Sequence, residues 1–190
     1  MLDGELPDVL PLGDPRLRMK SLPVTDVLDP SFAAENQRLH SVLRSFRARF
    51  AFGRAIAAPQ IGILKRFIAL HLDGHSNTLI NPDITNRSEE TFTMWDDCMS
   101  FPYLLVKVRR HRSIQIRYIN LQGELCEWNV FDRATSELLQ HEIDHLDGVL
   151  AIDRAIDREG IISREAFAAA SSDFKSQVDY AIGMSTQTSF

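Results

Sequence analysis

The run His141-Glu142-Ile143-Asp144-His145 joins two metal-binding side chains to a carboxylate at a useful spacing. On a helix, residues four apart lie one above the other, with Cβ atoms about 6 Å apart, so both imidazoles can converge on one cation. Glu142, beside the first ligand, is placed to reach a water near the cation rather than the cation itself. Two ligands and a general base within five residues are the working parts of a metal-dependent hydrolase. A catalytic ion of this kind takes a third protein ligand and keeps one position open. Asp153, Asp157 and Glu159 follow downstream, and none completes a G-x-x-H extension. Cys98, in Trp95-Asp96-Asp97-Cys98-Met99-Ser100-Phe101-Pro102, is the other candidate.

These residues need elements to hold them. The spacing predicts a helix from about Ala134 to Leu146, with Asp132 near its start and Gly148 near its end. Leu138, Leu139, Leu146 and Val149 around the motif carry the histidines inward. An earlier helix runs from a Ser31 cap to about Arg49, with Leu39, Val42, Leu43, Phe46 and Phe50 at helical spacing. The proline-rich first thirty residues read as extended segments and turns. Gly53 to Gly62, rich in small residues, reads as a loop or irregular strand. Arg66–Leu72 and Thr78–Ile84 read as strands around the turn residues Asp73 to Asn77, and Ser113–Ile119 and Glu124–Phe131 as two more. A last helix over 163–182 would carry Phe167, Ala170, Phe174, Val178 and Ala181 on one stripe. Strands first and a central helix later imply an α+β fold. It is a single domain, 1–190, of antiparallel strands around a metal-binding helix, with further helices near both ends.

Composition narrows the function classes. The chain has 190 residues, 44% hydrophobic, enough for one sizeable core. Net charge is −5, and no basic block suggests a nucleic-acid partner. Arg109, Arg110 and Arg112 read as a solvated strand end. Two cysteines are too few for a disulfide scaffold, which points to a reducing compartment. The acidic N-terminus lacks the basic and apolar regions of a signal peptide, and no apolar run nears the roughly 20 residues of a membrane span. A cytoplasmic location is expected.

Three segments together resemble the peptide deformylases. Gly53-Arg54-Ala55-Ile56-Ala57-Ala58-Pro59-Gln60 is similar to that family's G-φ-G-φ-A-A-x-Q. Asp96-Asp97-Cys98-Met99-Ser100 is similar to E-G-C-φ-S. Gln140-His141-Glu142-Ile143-Asp144-His145 matches Q-H-E-φ-D-H in full. Gly13 to Arg18, Pro23-Val24 and Ile80-Asn81-Pro82 extend the likeness over residues 10 to about 155, leaving 160–190 as a C-terminal helix and tail. The resemblance implies that Cys98, His141 and His145 hold one divalent metal, Fe²⁺ natively, with Zn²⁺, Ni²⁺ or Co²⁺ as substitutes. It implies removal of formyl from N-terminal formyl-methionine. Glu142 would be the general base, and Gln60 and the Met99 amide the oxyanion donors, each such donor contributing ~3–4 kcal/mol in the transition state. Asp144 would orient a ligand histidine or tie down the helix.

The departures gather where substrate is expected: Gly53, Arg54, Ala55, Asp96, Asp97 and Glu137. Ala55 replaces the family's second glycine, and Arg54 an apolar residue before it. Asp96-Asp97 replaces Glu-Gly, and Leu105 stands in place of an arginine, while a later arginine is kept as Arg110. Glu137 lies one turn before His141, where the family is apolar, so Arg54 and Glu137 would pair or meet a polar substrate group. An amidohydrolase acting on a small polar N-formyl or N-acyl compound is therefore an alternative reading, and a non-catalytic metal-binding relative a second. Residues 171–190 carry one Lys and two Asp, which offers no basic handle for a ribosome.

Overall fold

A computed structural model of the chain describes residues 8–181. It is a single α+β domain with two antiparallel sheets. The first has five strands in the order β1 (Ala55–Ala57), β2 (Phe67–Leu72), β3 (His75–Arg87), β6 (Ile114–Ile119) and β7 (Leu125–Val130). The second has three, β4 (Thr91–Asp97), β5 (Leu104–His111) and β8 (Ile161–Ser163). Helix α1 (Pro30–Phe50) covers one face of the larger sheet, and helix α2 (Arg133–Leu146) covers the other.

Alternation along β2 explains this layering. Phe67 and Ala69 join Phe32, Leu39, Leu43 and Phe46 of α1 in one core. Ile68 and Leu70 point the opposite way and join Leu139, Ile143 and Leu146 of α2 in another. A third apolar cluster, with Phe92, Met94, Val106 and Val108, lies on the smaller sheet. Helix α2 thus has an apolar side on the large sheet and a polar side turned to β5. There Ser136 Oγ donates to His111 O at 2.8 Å, and Gln140 both accepts from His111 N (3.0 Å) and donates to His111 O (2.9 Å). Those bonds fix the rotation of the helix, and with it the direction of His141 and His145. Asp132 caps α2 by accepting from Thr135 N at 2.7 Å.

Several sequence expectations are corrected. The cap of α1 is Asp29, not Ser31: Pro30 fills the first helical position and the Asp29 carboxylate accepts from Ser31 N. The turn expected over Asp73–Asn77 shrinks to Asp73-Gly74, both at positive φ, and His75 already pairs with Leu72. A two-residue hairpin loop with that backbone matches strand twist, so the strands run right up to it. The last helix breaks in two, α3 (Arg164–Ala169) and α4 (Ser171–Lys175), because Ala170 leaves the helical region at φ −134°. The break stacks Phe167 on Phe174, and both rings meet Trp95 edge-on. Residue 182, the end of that expected helix, lies outside the described residues. Strands β4 and β5, which frame Cys98, were not expected. Among the described residues no helix is long and apolar enough to cross a membrane.

Candidate metal centre

Cys98 follows the end of β4, and His141 and His145 lie one turn apart on α2. Their ligand atoms all fall within 4.8 Å of one another, and all three residues are buried. His145 Nε2 is 3.2 Å from His141 Nε2 and 3.3 Å from Cys98 Sγ. A tetrahedral ion with bonds of roughly 2.0–2.3 Å has ligand–ligand edges of about 3.3–3.8 Å. The closest approaches therefore need to open by a few tenths of an ångström to admit one. The donor set, one sulfur and two imidazole nitrogens, suits a divalent transition metal and leaves a coordination position open. Burial pushes the Cys98 thiol up, against the pull of His141. A thiolate in this interior is stable only with a cation to hold it. The residues present fit a metal.

Each ligand is positioned by its surroundings. Asp96, on β4, accepts from His141 Nδ1 at 3.0 Å, which leaves Nε2 facing the other ligands. Arg110, on β5, donates to the same Asp96 oxygen at 3.0 Å and to Asp144 at 2.6 Å. Arg154 reaches Asp144 at 2.7 Å from the surface. A chain of alternating charge thus runs Arg154, Asp144, Arg110, Asp96, His141. Burial alone would raise the Asp96 carboxyl, but His141 and Arg110 hold it well below the usual carboxylate range. Burial likewise pulls His141 down, and Asp96 more than reverses this. His145 is driven well below its ordinary value by burial and by His141. Among the described residues its Nδ1 has no partner.

Glu142 is 4% exposed, and its Oε2 has no hydrogen-bond partner among the described residues. Burial raises its carboxyl to about 7. An orphaned carboxylate oxygen beside a metal ligand is a place for a water or a substrate proton. Gln60 is held by its own loop. Its Oε1 accepts from Ala57 N at 2.9 Å, so the Nε2 donor turns inward to Ser100 Oγ (3.3 Å) and Cys98 Sγ (3.6 Å). Met99 packs into the α1 core. Gly53, at φ +108°, lies against its methyl group, which a Cβ at that position would overlap.

The residues expected around a substrate divide. Asp96 is behind His141 and occupied by it. Asp97 is paired to Arg164 at 2.8 Å. Ala55 turns its side chain into the core under α2. Arg54 and Glu137 meet each other, and Arg54 Nη1 also donates to Ala134 O at 2.7 Å. Arg110 was read as part of a solvated strand end, yet it is 3% exposed. The signal was present: Val106, Val108 and Arg110 share one face of β5, opposite Asp96, Met94 and Phe92 on β4. Arg112, by contrast, does sit at the surface with Glu90.

The profile of the polypeptide deformylase family matches residues 6–160. The chain belongs to this family. A peptide deformylase of Thermotoga petrophila is 34% identical over 153 residues, covering 80% of this chain and 89% of the relative. The crystal structure of peptide deformylase from Thermotoga maritima superposes with a TM-score of 0.72 at 32% identity, over 81% of this chain and all of that one. A class I type b peptide deformylase from Acinetobacter baumannii, solved with Met-Ala-Ser bound, gives a TM-score of 0.67 at 26% identity, over 77% of this chain and 96% of that one. The chain is accordingly a hydrolase of the peptide deformylase type, and its buried Cys-His-His cluster could hold a metal ion.

Proposed function

We propose that this protein removes the formyl group from the N-terminus of formyl-methionyl and related N-formyl peptides, with Cys98, His141 and His145 holding one divalent ion. The observation that carries this reading is their convergence beside Glu142, whose Oε2 has no hydrogen-bond partner among the described residues. When bound, the ion supplies Lewis acidity and brings the pKa of water towards neutrality. Glu142, whose carboxyl is raised by burial, takes the proton of the attacking water. Oxygen adds to the formyl carbon, and the Gln60 amide, with the Met99 backbone N–H, donates to the oxyanion. Glu142 then delivers its proton to the leaving nitrogen, the C–N bond breaks, and formate and a free amine result. Asp96, Arg110 and Asp144 keep His141 in the right tautomer and direction.

Iron(II) is our choice for the native ion, with zinc, nickel or cobalt able to occupy the same donors. We place the reaction in the cytoplasm, where formylated nascent peptides arise and where a free Cys98 stays reduced. The test is formate release from formyl-Met-Ala-Ser by anaerobically purified, metal-loaded protein, with free amine appearing in equal amount. Metal binding without formate from any formyl peptide would defeat the reading.

A further inference from the structure

Arg54 and Glu137 form an ion pair that the chemistry above does not use. Glu137 is one turn ahead of His141 on α2, its side chain 2% exposed. Arg54 lies immediately before β1, whose end leads into the Gln60 loop, and its side chain is 32% exposed. The guanidinium is anchored twice, on Glu137 and on the Ala134 carbonyl. Glu137 stands one helical turn, about 5.4 Å, before His141 on α2. The pair therefore stands beside the reacting groups.

Burying two charges is costly, and an apolar pair of the same volume is often as stable or more so. Stability alone does not explain the arrangement. Geometry suggests a use. One helical turn is about 5.4 Å, which is the reach of an amino-acid side chain. A peptide whose formyl carbon sits by Glu142 carries its first side chain on the next atom but one. That side chain comes within range of this pair. Of the two residues, only Arg54 is open to the outside, because Glu137 is hidden behind it. A guanidinium has five N–H donors and no acceptor. The group presented to an incoming side chain is therefore a hydrogen-bond donor held in place by a buried carboxylate.

We propose that Arg54, held by Glu137, makes this enzyme selective for N-formyl peptides whose first side chain bears an oxygen acceptor, over those whose first side chain is hydrocarbon or thioether. This deepens the deformylase reading and rests on it. Amide side chains and an oxidised methionine share that chemistry: the sulfoxide adds one polar oxygen to an otherwise apolar chain. Glu137 is a positioning residue here, and Arg54 touches substrate. A site built to hydrogen-bond a substrate group rejects the analogue lacking it by up to ~10⁴–10⁵-fold, and a partly exposed guanidinium should deliver at least ~10-fold of that.

The experiment compares kcat/KM for formyl-Met-Ala-Ser, formyl-Gln-Ala-Ser and formyl-Met(sulfoxide)-Ala-Ser, using metal-loaded wild type and the double variant Arg54→Ile/Glu137→Ile. The double exchange leaves no unpaired charge, and thermal unfolding checks that it folds. The dissociation constants of the three deformylated products are measured in parallel, which gives a readout independent of turnover. In the wild type, the glutamine and sulfoxide peptides should exceed the methionine peptide at least tenfold in kcat/KM, and their products should bind more tightly. In the double variant the order should reverse. Preference for glutamine alone would identify amide starts as the source, and preference for the sulfoxide alone would identify oxidised starts. A wild type that favours methionine tenfold, or a double variant with unchanged preferences, overturns the proposal. Absence of formate from all three peptides would count against the deformylase reading instead, while product affinities would still decide the role of Arg54.

Discussion

Arg110 and Arg54 each hold a buried carboxylate beside helix α2, but the two pairs end differently. Arg110 joins Asp96 to Asp144, and Asp96 passes its second contact to His141. Every charge in that chain has a partner, and the chain ends on a metal ligand. Arg54 holds Glu137 and a backbone carbonyl and reaches no proposed metal ligand. The balance of forces on the carboxylates differs accordingly. At Asp96 two cationic neighbours overcome burial, and the carboxyl is held low. At Glu137 burial outweighs Arg54, and the carboxyl rises to about 7. Similar residue types thus serve an orienting network in one place and a donor surface in the other.

The comparison can be broken by substitution. The largest effect should come from the ligands themselves: Cys98→Ala should lose the metal, measured by elemental analysis after dialysis, and full occupancy would remove Cys98 from the ligand set. Next is Arg110→Met. It strands Asp96 and Asp144 as buried, partly unpaired carboxylates, so unfolding free energy should fall by about 3–5 kcal/mol. A loss below ~1 kcal/mol in denaturant titration would mean that the network does not hold the fold. Asp96→Asn keeps the shape but weakens the grip on His141. Metal affinity should fall about 10- to 100-fold, read by competition with a chelator, with the fold retained.

The Arg54 side should respond in the opposite sense. The double variant Arg54→Ile/Glu137→Ile should be neutral or up to ~4 kcal/mol more stable. It should also change the pH profile. The folded Glu137 carboxyl is raised by burial from the ordinary value of 4.5 to about 7, against the pull of Arg54. Its contribution is complete below pH 4.5 and is lost as pH rises through 7. The stability of the double variant relative to wild type should therefore grow between those limits. A gap constant with pH would show that Glu137 is not raised.

Much of this was legible in the sequence, for physical reasons. The α2 motif has a strict helical spacing, and Asp132 is a strong cap, so the element and its ligands follow from pattern alone. Cys98 was one of several candidates from the residues and was singled out as the third ligand only through family resemblance, because a lone cysteine is more often a buried apolar residue. Its frame, β4 and β5, was missed since Asp96 and Arg110 interrupt the apolar alternation. Those same interruptions are the charges behind His141. The broken C-terminal helix was missed because Phe167 and Phe174 fit a helical stripe, yet Trp95, far away in sequence, draws both rings to one place. The pairing of Arg54 with Glu137, over 83 positions, needed tertiary structure to choose between pairing and solvent.

The central claim is that Glu142 moves the proton at a Cys98–His141–His145 metal centre. The most direct test is the rate of formate release from N-formyl tripeptides by Glu142→Ala and wild type, compared at equal metal content. The account predicts the same metal content and a rate at least ~10²-fold lower, the usual size of a general-base effect. Equal rates in the two proteins would contradict it.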